Sequence, residues 1–399
     1  MVGHPAGVTE GRAGQAAPLT PSQARLLLSV EGRAAVEHAA ALDLPPIPAA
    51  EAMRPFGEAG RLALEQVGLR RRALAKHPDG DRLWWTAEAL EQSTPRIVAL
   101  HHAQRFAEAT RELDLGCSVG GDLIAFGQRG VGVDSDLARC LLARANTGAP
   151  VACADVTTLD PRGWVFADPA RRTSGRRGFD PAGWSPPLDA VLSWEVTGLG
   201  VKVAPGIDYD VLPADVEVEL VSVAGDVKEA MLWLGAARRG ARRMATLLPS
   251  GAQLVGSGAV ADVRAPGRYL LEPDGAVIRA HLVAEVCDLA EGWLLDASIA
   301  YVSADRAVPT PFGRWYEVLD VMPFSLKRLR ERLRGVGAVT IKKRGTAVEP
   351  EQLRRQLRLS GTGEATVVLT RVAGAQVAML VEPRGTMTPT APTSSAPKG

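Results

Sequence analysis

The sequence predicts an α/β protein: a mainly parallel sheet with covering helices, a helical N-terminal extension, and a small α+β C-terminal module. Three observations carry this reading. Strand and helix signals alternate from Glu112 to about Gly251, the pattern of a parallel sheet wrapped by helices. From Ser22 to about Leu90 apolar residues recur at three-to-four spacing with few β-branched runs, as on amphipathic helices. Beyond Pro309 and Pro311 the alternation resumes in a shorter, basic stretch, with the prolines marking a boundary.

Residues 1–21 and 385–399 are small, polar and Pro-rich. They bury too little apolar area to offset the entropy of ordering, and disorder is expected. The helical region over 22–90 includes "SQARLLLSVEGRAAVEHAAAL" and "FGEAGRLALEQVGLRRRALAKH", with Arg70, Arg71 and Arg72 at a solvated helix end. In "STPRIVALHHAQRF", Ser93 or Thr94 is placed to cap a helix that begins at Pro95 and runs to about Ala107, proline losing nothing at a first position whose N–H is unpaired anyway. His101 and His102 lie on that helix, and no acid near them in sequence gives them more than a structural or exposed role.

The core domain then spans 91–251. Its strands are "ELDL", "VGVD", "VACAD", "WVFADP" and "VKVAPG", followed by "DVEVELVSV" and "RRMATLLP"; "GDLIAFGQRG", "DLARCLLARANTG", "PLDAVLSWEVTG" and "DVKEAMLWLGAAR" read as helices. That makes a six- or seven-stranded sheet closing near Pro249 or Gly251. Mixed strand-like and helical pieces follow over 256–310, and a compact α+β module over 314–384.

The formal charge of +1 hides an asymmetry. From Arg314 to Arg384 there are fourteen Lys/Arg and seven Asp/Glu, a local +7 that leaves −6 on the remainder. A basic end on an acidic body fits a site for polyanions or a solvated surface. Cys117, Cys140, Cys153 and Cys287 show no C-x-x-C spacing and no histidines at ligand intervals, so neither a metal site nor a disulfide framework is indicated. No apolar run reaches the roughly 20 residues that span a bilayer, and the N-terminus lacks a signal-peptide pattern. A soluble, cytoplasmic protein is expected.

The chemistry is concentrated after the first strand, in "ELDLGCSVGGD", where small residues leave room for a ligand to approach the backbone. Each of the first four strands also carries an acid at or near its end: Asp114, Asp134, Asp155 and Asp168. Ligands of open α/β sheets bind beyond these strand ends. Asp134, twenty residues after Asp114, is suited to ribose hydroxyls. Ser118, however, stands where a dinucleotide loop has its second glycine, and Asp122 repels a pyrophosphate. A ligand with ribose and adenine but no phosphate is favoured, namely S-adenosyl-L-methionine. The loop Gly116–Gly121, with Gly120, then lies under the methionine moiety, Asp155 accepts from the adenine amino group, and Asp114 orients the loop.

These motifs resemble class I S-adenosylmethionine-dependent methyltransferases. More narrowly, "TP" before a helix, C-x-V-G-G-[ND] after the first strand and D-P after the fourth resemble the trimethylguanosine-synthase-like branch. The whole chain is similar to bacterial methyltransferases with a ferredoxin-like segment and a THUMP-like C-terminal domain, which places these at 256–310 and 314–384 around a Rossmann-like methyltransferase sheet. The resemblance adds Thr94 and Cys117 to the cofactor residues and implies RNA, as structured tRNA or rRNA, for the basic module.

Base-modifying relatives carry [DN]-P-P-[aromatic] after the fourth strand, whereas this chain has Asp168-Pro169-Ala170-Arg171. Without the second proline and the aromatic ring, methylation of an exocyclic base amine is put in doubt. Arg171, Arg172, Arg176 and Arg177 offer forks for phosphate or carboxylate, or form a mobile basic loop. Asp168 is placed to orient the acceptor or take its proton. Lys202 contacts an acidic substrate group or snorkels from the sheet, with Glu219, Ser222 and Glu229 on the same rim. Lys342, Lys343 and Arg344, with the "LKRLRERLRG" and "LRRQLR" helices, suit RNA-backbone contact. Two other readings stay open: a methyltransferase of a small anionic metabolite, and a non-catalytic cofactor- and RNA-binding protein.

Overall fold

The computed structural model describes residues 18–170 and 183–384, including the backbone alone of 172–173 and 176–177 within the intervening stretch. The expected disorder at 1–17 and 385–399, and the assignment of Arg171, lie outside the described residues. The chain divides into two compact units, Met1–Val196 and Thr197–Gly399.

The first unit opens with helices α1 (Pro21–Leu28), α2 (Val30–Ala41), α3 (Pro46–Ala52), α4 (Gly57–Ala73) and α5 (Ala87–Gln92). Helix starts before the expected boundary at Ser22 because Thr20 and Gln23 form a reciprocal capping box ahead of Pro21. The extension shares one apolar core with the domain that follows. Leu27, Val36, Leu62, Trp84 and Trp85 pack in the same cluster as Val119, Ala138 and Leu142. Asn146 sews the two together, accepting from Trp84 N at 2.8 Å and donating to Trp84 O at 3.0 Å and Val119 O at 2.8 Å.

Next come α6 (Arg96–Ala103), β1 (Glu112–Leu115), α7 (Leu123–Phe126), β2 (Gly130–Asp134), α8 (Leu137–Thr147), β3 (Val151–Cys153) and β4 (Trp164–Ala167). The strands lie in the order β4-β1-β2-β3, with all three pairings parallel. After β4 the backbone pairs β5 (Arg172–Thr173) with β6 (Arg176–Arg177) and returns through an Ala170–Ser185 bridge to α9 (Leu188–Leu192).

In the second unit, β7 (Gly198–Val203), β8 (Glu217–Val223), β9 (Asp226–Gly235), β10 (Arg243–Leu248) and β11 (Ala252–Val255) lie in the order β7-β9-β8-β10-β11. The helix expected over "DVKEAMLWLGAAR" is instead strand β9, antiparallel to both neighbours. Ala230, Met231, Leu232 and Trp233 are all buried, so both faces of the strand are covered and its apolar run cannot be told from a buried helix by periodicity. The preceding turn carries positive φ at Ala224 and Gly225, the turn chemistry of a tight hairpin.

The remaining elements are β12 (Tyr269–Pro273), α10 (Gly275–Arg279), α11 (Val283–Ala290), β13 (Trp293–Asp296), β14 (Ile299–Ala304), β15 (Gly313–Pro323), α12 (Leu326–Arg332), β16 (Val336–Lys343), α13 (Pro350–Leu357), β17 (Gly363–Val372) and β18 (Ala375–Pro383). Their seven strands form one sheet, β13-β14-β12-β15-β18-β17-β16. Register between β12 and β15 from Tyr269↔Glu317 to Pro273↔Gly313 joins 256–310 and 314–384 through a shared sheet. α12 and α13 bury Leu329, Leu353 and Leu357 with Met322, Val367 and Leu369.

Candidate active site

The strand order of the first unit reverses between β4 and β1, and the crevice beyond the strand ends at such a point is where open α/β sheets take ligands. At Gly116 the chain leaves β1 with φ +90°. A Cβ there would lie 2.8 Å from Asp168 O, so the β1 and β4 ends meet backbone to backbone. Gly116 N and Cys117 N both donate to Val133 O, at 2.8 and 3.0 Å, tying the loop to β2. Gly120 also has φ +90°, but its missing Cβ makes room for Thr147 Cγ2, 2.8 Å away, at the end of α8. Helix packing accounts for that glycine.

Asp134 ends β2 and is nearly buried. Its Oδ2 accepts from Ser118 N at 2.9 Å and its Oδ1 from Asp136 N at 2.8 Å. A carboxylate offers about four lone-pair sites, so acceptor capacity remains for hydroxyl donors after the loop has been held. Asp155 is exposed and caps a single helical turn: Oδ1 accepts from Thr157 Oγ1 at 2.7 Å and Thr157 N at 2.9 Å, and these bonds hold its carboxyl below the usual range. Asp114 is buried in β1. Burial, reinforced by Asp114 and Asp134, pushes the Cys117 thiol far up, which makes it a packing group rather than a nucleophile. All four cysteines are free.

Thr94 caps no helix. Its hydroxyl donates to Asp122 Oδ2 at 2.7 Å, and His102 Nδ1 lies 3.1 Å from Asp122 Oδ1. Thr94, Asp122 and His102 are all buried, and Asp122 closes the glycine loop. This cluster escaped the sequence reading because Asp122 lies twenty residues or more from Thr94 and His102 in the chain. One layer out, Ser93 Oγ donates to Leu90 O at 2.9 Å and accepts from His77 Nε2 at 3.0 Å. Burial, aided by Arg96, lowers His77 to about 4, so it stays neutral at pH 7. A Cβ on Gly121 would meet Ser93 Cβ at 3.7 Å. The segment 77–102 thus clamps the outer side of the loop.

Asp168 is half-buried and Pro169 buried, and Asp168 N donates to Leu115 O at 3.1 Å. Arg172 faces Arg177 in the β5–β6 register. In the second unit, Lys202 is buried opposite Met231. Glu219 is buried too, accepting from Trp233 Nε1 at 2.8 Å and from the Thr246 hydroxyl. Ser222 and Glu229 are likewise buried.

The cations at the basic strand end of the terminal module are engaged within the fold. Lys342 Nζ is 2.6 Å from Glu272 Oε2 and above the Tyr316 ring, Lys343 pairs with Glu349 at 2.7 Å, and Arg344 donates to Ala300 O at 3.0 Å over the Tyr301 ring. On the helices and the turns after them, Lys327, Arg328, Arg334, Arg355 and Arg358 are exposed and form no ion pair among the described residues. No group of three or more His, Cys, Asp or Glu able to hold a metal occurs among the described residues. Nor, among them, is any helix long and apolar enough to cross a membrane.

A parallel sheet with a glycine turn at its switch point, and an acid at the end of the neighbouring strand, defines a protein that binds a nucleoside-bearing cofactor. The comparisons make this specific. Over 341 residues, 79% of this chain and 94% of the relative, the chain is 39% identical to an uncharacterized S-adenosylmethionine-dependent methyltransferase of Mycobacterium tuberculosis, in both the CDC 1551 / Oshkosh and H37Rv strains. It therefore belongs to this family of S-adenosylmethionine-dependent methyltransferases. Residues 313–383 match the THUMP domain-like family. The fold is also similar to the crystal structure of a provisionally named methyltransferase from Porphyromonas gingivalis W83, with TM-score 0.69 and 20% identity over 90% of this chain and 98% of that one. The protein is an enzyme whose cofactor is S-adenosyl-L-methionine.

Proposed function

We propose that this methyltransferase acts on structured RNA, tRNA or rRNA, and belongs to the trimethylguanosine-synthase-like branch. The observation that carries the RNA reading is a methyltransferase fold joined to a THUMP domain-like module over 313–383 whose helices expose unpaired lysine and arginine. Such a surface suits a phosphate backbone, and the aromatics at the module's front, Trp315 and Tyr316, are buried rather than offered for base stacking. The domain boundaries proposed are 22–90, 91–251, 256–310 and 314–384.

The residues present fit the cofactor. Gly116 lets the ends of β1 and β4 meet backbone to backbone at the switch point, and Asp134 retains acceptor capacity. Bound there, S-adenosylmethionine supplies an electrophilic methyl group on a sulfonium. Gly116, Cys117 and Gly121 hold the methionine portion by close backbone approach, while Gly120 seats the loop on α8. Asp134 accepts from the ribose hydroxyls, Asp155 from the adenine amine, and Asp114 orients the loop. Thr94 acts through Asp122. Asp168 aligns the acceptor and takes its proton, with Pro169 stiffening the turn. Arg171, Arg172, Arg176 and Arg177 grip substrate phosphate, Lys202 an acidic substrate group, and Lys342, Lys343 and Arg344 brace the module that carries the RNA.

The test is to incubate the protein with radiolabelled S-adenosylmethionine and, separately, RNA, protein and small-molecule extracts from cells lacking the gene, using Asp168→Ala as control. Label in RNA with the native protein alone is the expected result. Label only in the small-molecule extract moves the substrate to an anionic metabolite. Cofactor binding without label anywhere makes the protein a non-catalytic binder.

A further inference from the structure

The loop from β9 to β10 reads "AARRGARR" over Ala236–Arg243: four arginines and no acid. Arg238, Arg239 and Arg242 are exposed and unpaired among the described residues. Other exposed arginines, those of the terminal helices apart, find acids, as in Arg162–Asp160, Arg264–Asp262 and Arg332–Asp320. Like charges in so short a loop repel one another, yet the backbone here is pinned. Glu217, fully buried at the start of β8, accepts through Oε2 from Arg239 N at 2.8 Å and Ala241 N at 3.2 Å. Val218 N donates to Arg242 O at 3.0 Å, and Gly240 takes φ +90°.

The fourth arginine anchors the loop's far end. Arg243 stacks 4.9 Å above the Tyr209 ring and lies 3.4 Å, through Nη1, from His281 Nδ1. Burial, with Arg243 beside it, keeps His281 below its ordinary value, so its Nδ1 serves as the acceptor. Asp208 and Asp210, exposed beside Tyr209, form no ion pair with these arginines among the described residues.

One oxygen of a buried carboxyl group therefore holds an uncompensated arginine turn in one shape. Arginines carried on a fixed backbone lose less freedom when they bind than those on a loose loop do. Three forks in so short a loop suit a repeating phosphate backbone better than one small anion. The loop lies at the amino-terminal ends of β8 and β10, which run parallel. Contacts to phosphate there set register and orientation.

We propose that the Arg238–Arg243 loop is a second RNA-backbone contact surface, separate from the helices of the terminal module and held in binding geometry by Glu217. This rests on the reading of RNA as substrate. The experiment measures anisotropy of a fluorescein-labelled RNA hairpin across a salt series, for the full chain, the Arg238→Ala/Arg239→Ala/Arg242→Ala triple variant, and Glu217→Ala. For the triple variant we expect affinity to fall roughly ten- to a hundredfold at low salt, and the slope of log affinity against log salt to shrink by about 2 to 3, while S-adenosylmethionine affinity and Tm stay put. Glu217→Ala keeps every arginine, so it is expected to weaken binding with little change of slope. Should Glu217→Ala not fold, the triple variant decides, because its positions are exposed. Unchanged affinity and slope in the triple variant, with the full chain binding RNA, overturn this proposal alone. No RNA binding by the full chain overturns both it and the RNA reading.

Discussion

Gly116→Ala adds a single methyl group where β1 and β4 meet. At φ +90° the alanine enters a region that costs about 1–3 kcal/mol. Its Cβ would also stand 2.8 Å from Asp168 O, so one strand end must move away from the other. Gly127→Ala separates the two effects, since Gly127 has φ +63° and nothing within 4 Å of an added Cβ. Both variants are expected to lose about 1–3 kcal/mol in urea unfolding through backbone conformation. Only Gly116→Ala is expected to weaken S-adenosylmethionine, by tenfold or more in calorimetric titration, which needs a shift worth about 1.4 kcal/mol in the bound geometry. If the two variants lose the same stability and both bind cofactor like the parent, the loop is not the cradle and the reasoning fails.

Other consequences are equally accessible. Thr94→Val leaves buried Asp122 without a 2.7 Å donor; about 1–3 kcal/mol of stability and part of the cofactor affinity should be lost, with Thr94→Ser restoring both in the same titration. Asp168→Asn should cut methyl transfer by about 10²–10⁴-fold while leaving cofactor affinity within a factor of two; equal turnover would remove Asp168 from proton transfer. Burial, opposed by Arg129, raises Glu112 to about 7 from its ordinary 4.5. The folded state therefore holds a proton that the unfolded chain releases, and this contribution to stability falls as pH rises from about 4.5 through 7. Glu112→Gln should flatten that slope and, above pH 7, exceed the parent by up to about 3 kcal/mol, because Arg129 keeps its bonds to Phe106 O, Ala107 O and Ala109 O. Urea unfolding at pH 5 and pH 8 checks the sign.

Much of this protein is written locally. The amphipathic spacing of 22–90, the glycine turn after "ELDL" and the acids at strand ends are short-range signals, and each dictates backbone conformation or helix capping within a few residues. They were enough for the α/β class and the cofactor. Tertiary structure decided what depends on partners far away in sequence. The run "EAMLWL" became a strand because β7 and β8 cover its edges. The segments 256–310 and 314–384 became one sheet through the β12–β15 pairing. Lys342, which charge alone offered to RNA, found Glu272 seventy residues earlier in the chain. Thr94, His102 and Asp122 form one cluster only when α6 lies against the glycine loop. Periodicity reports which face of an element is apolar; it carries no record of which distant group will meet a polar side chain, and that meeting determines whether the side chain binds a ligand or holds the fold.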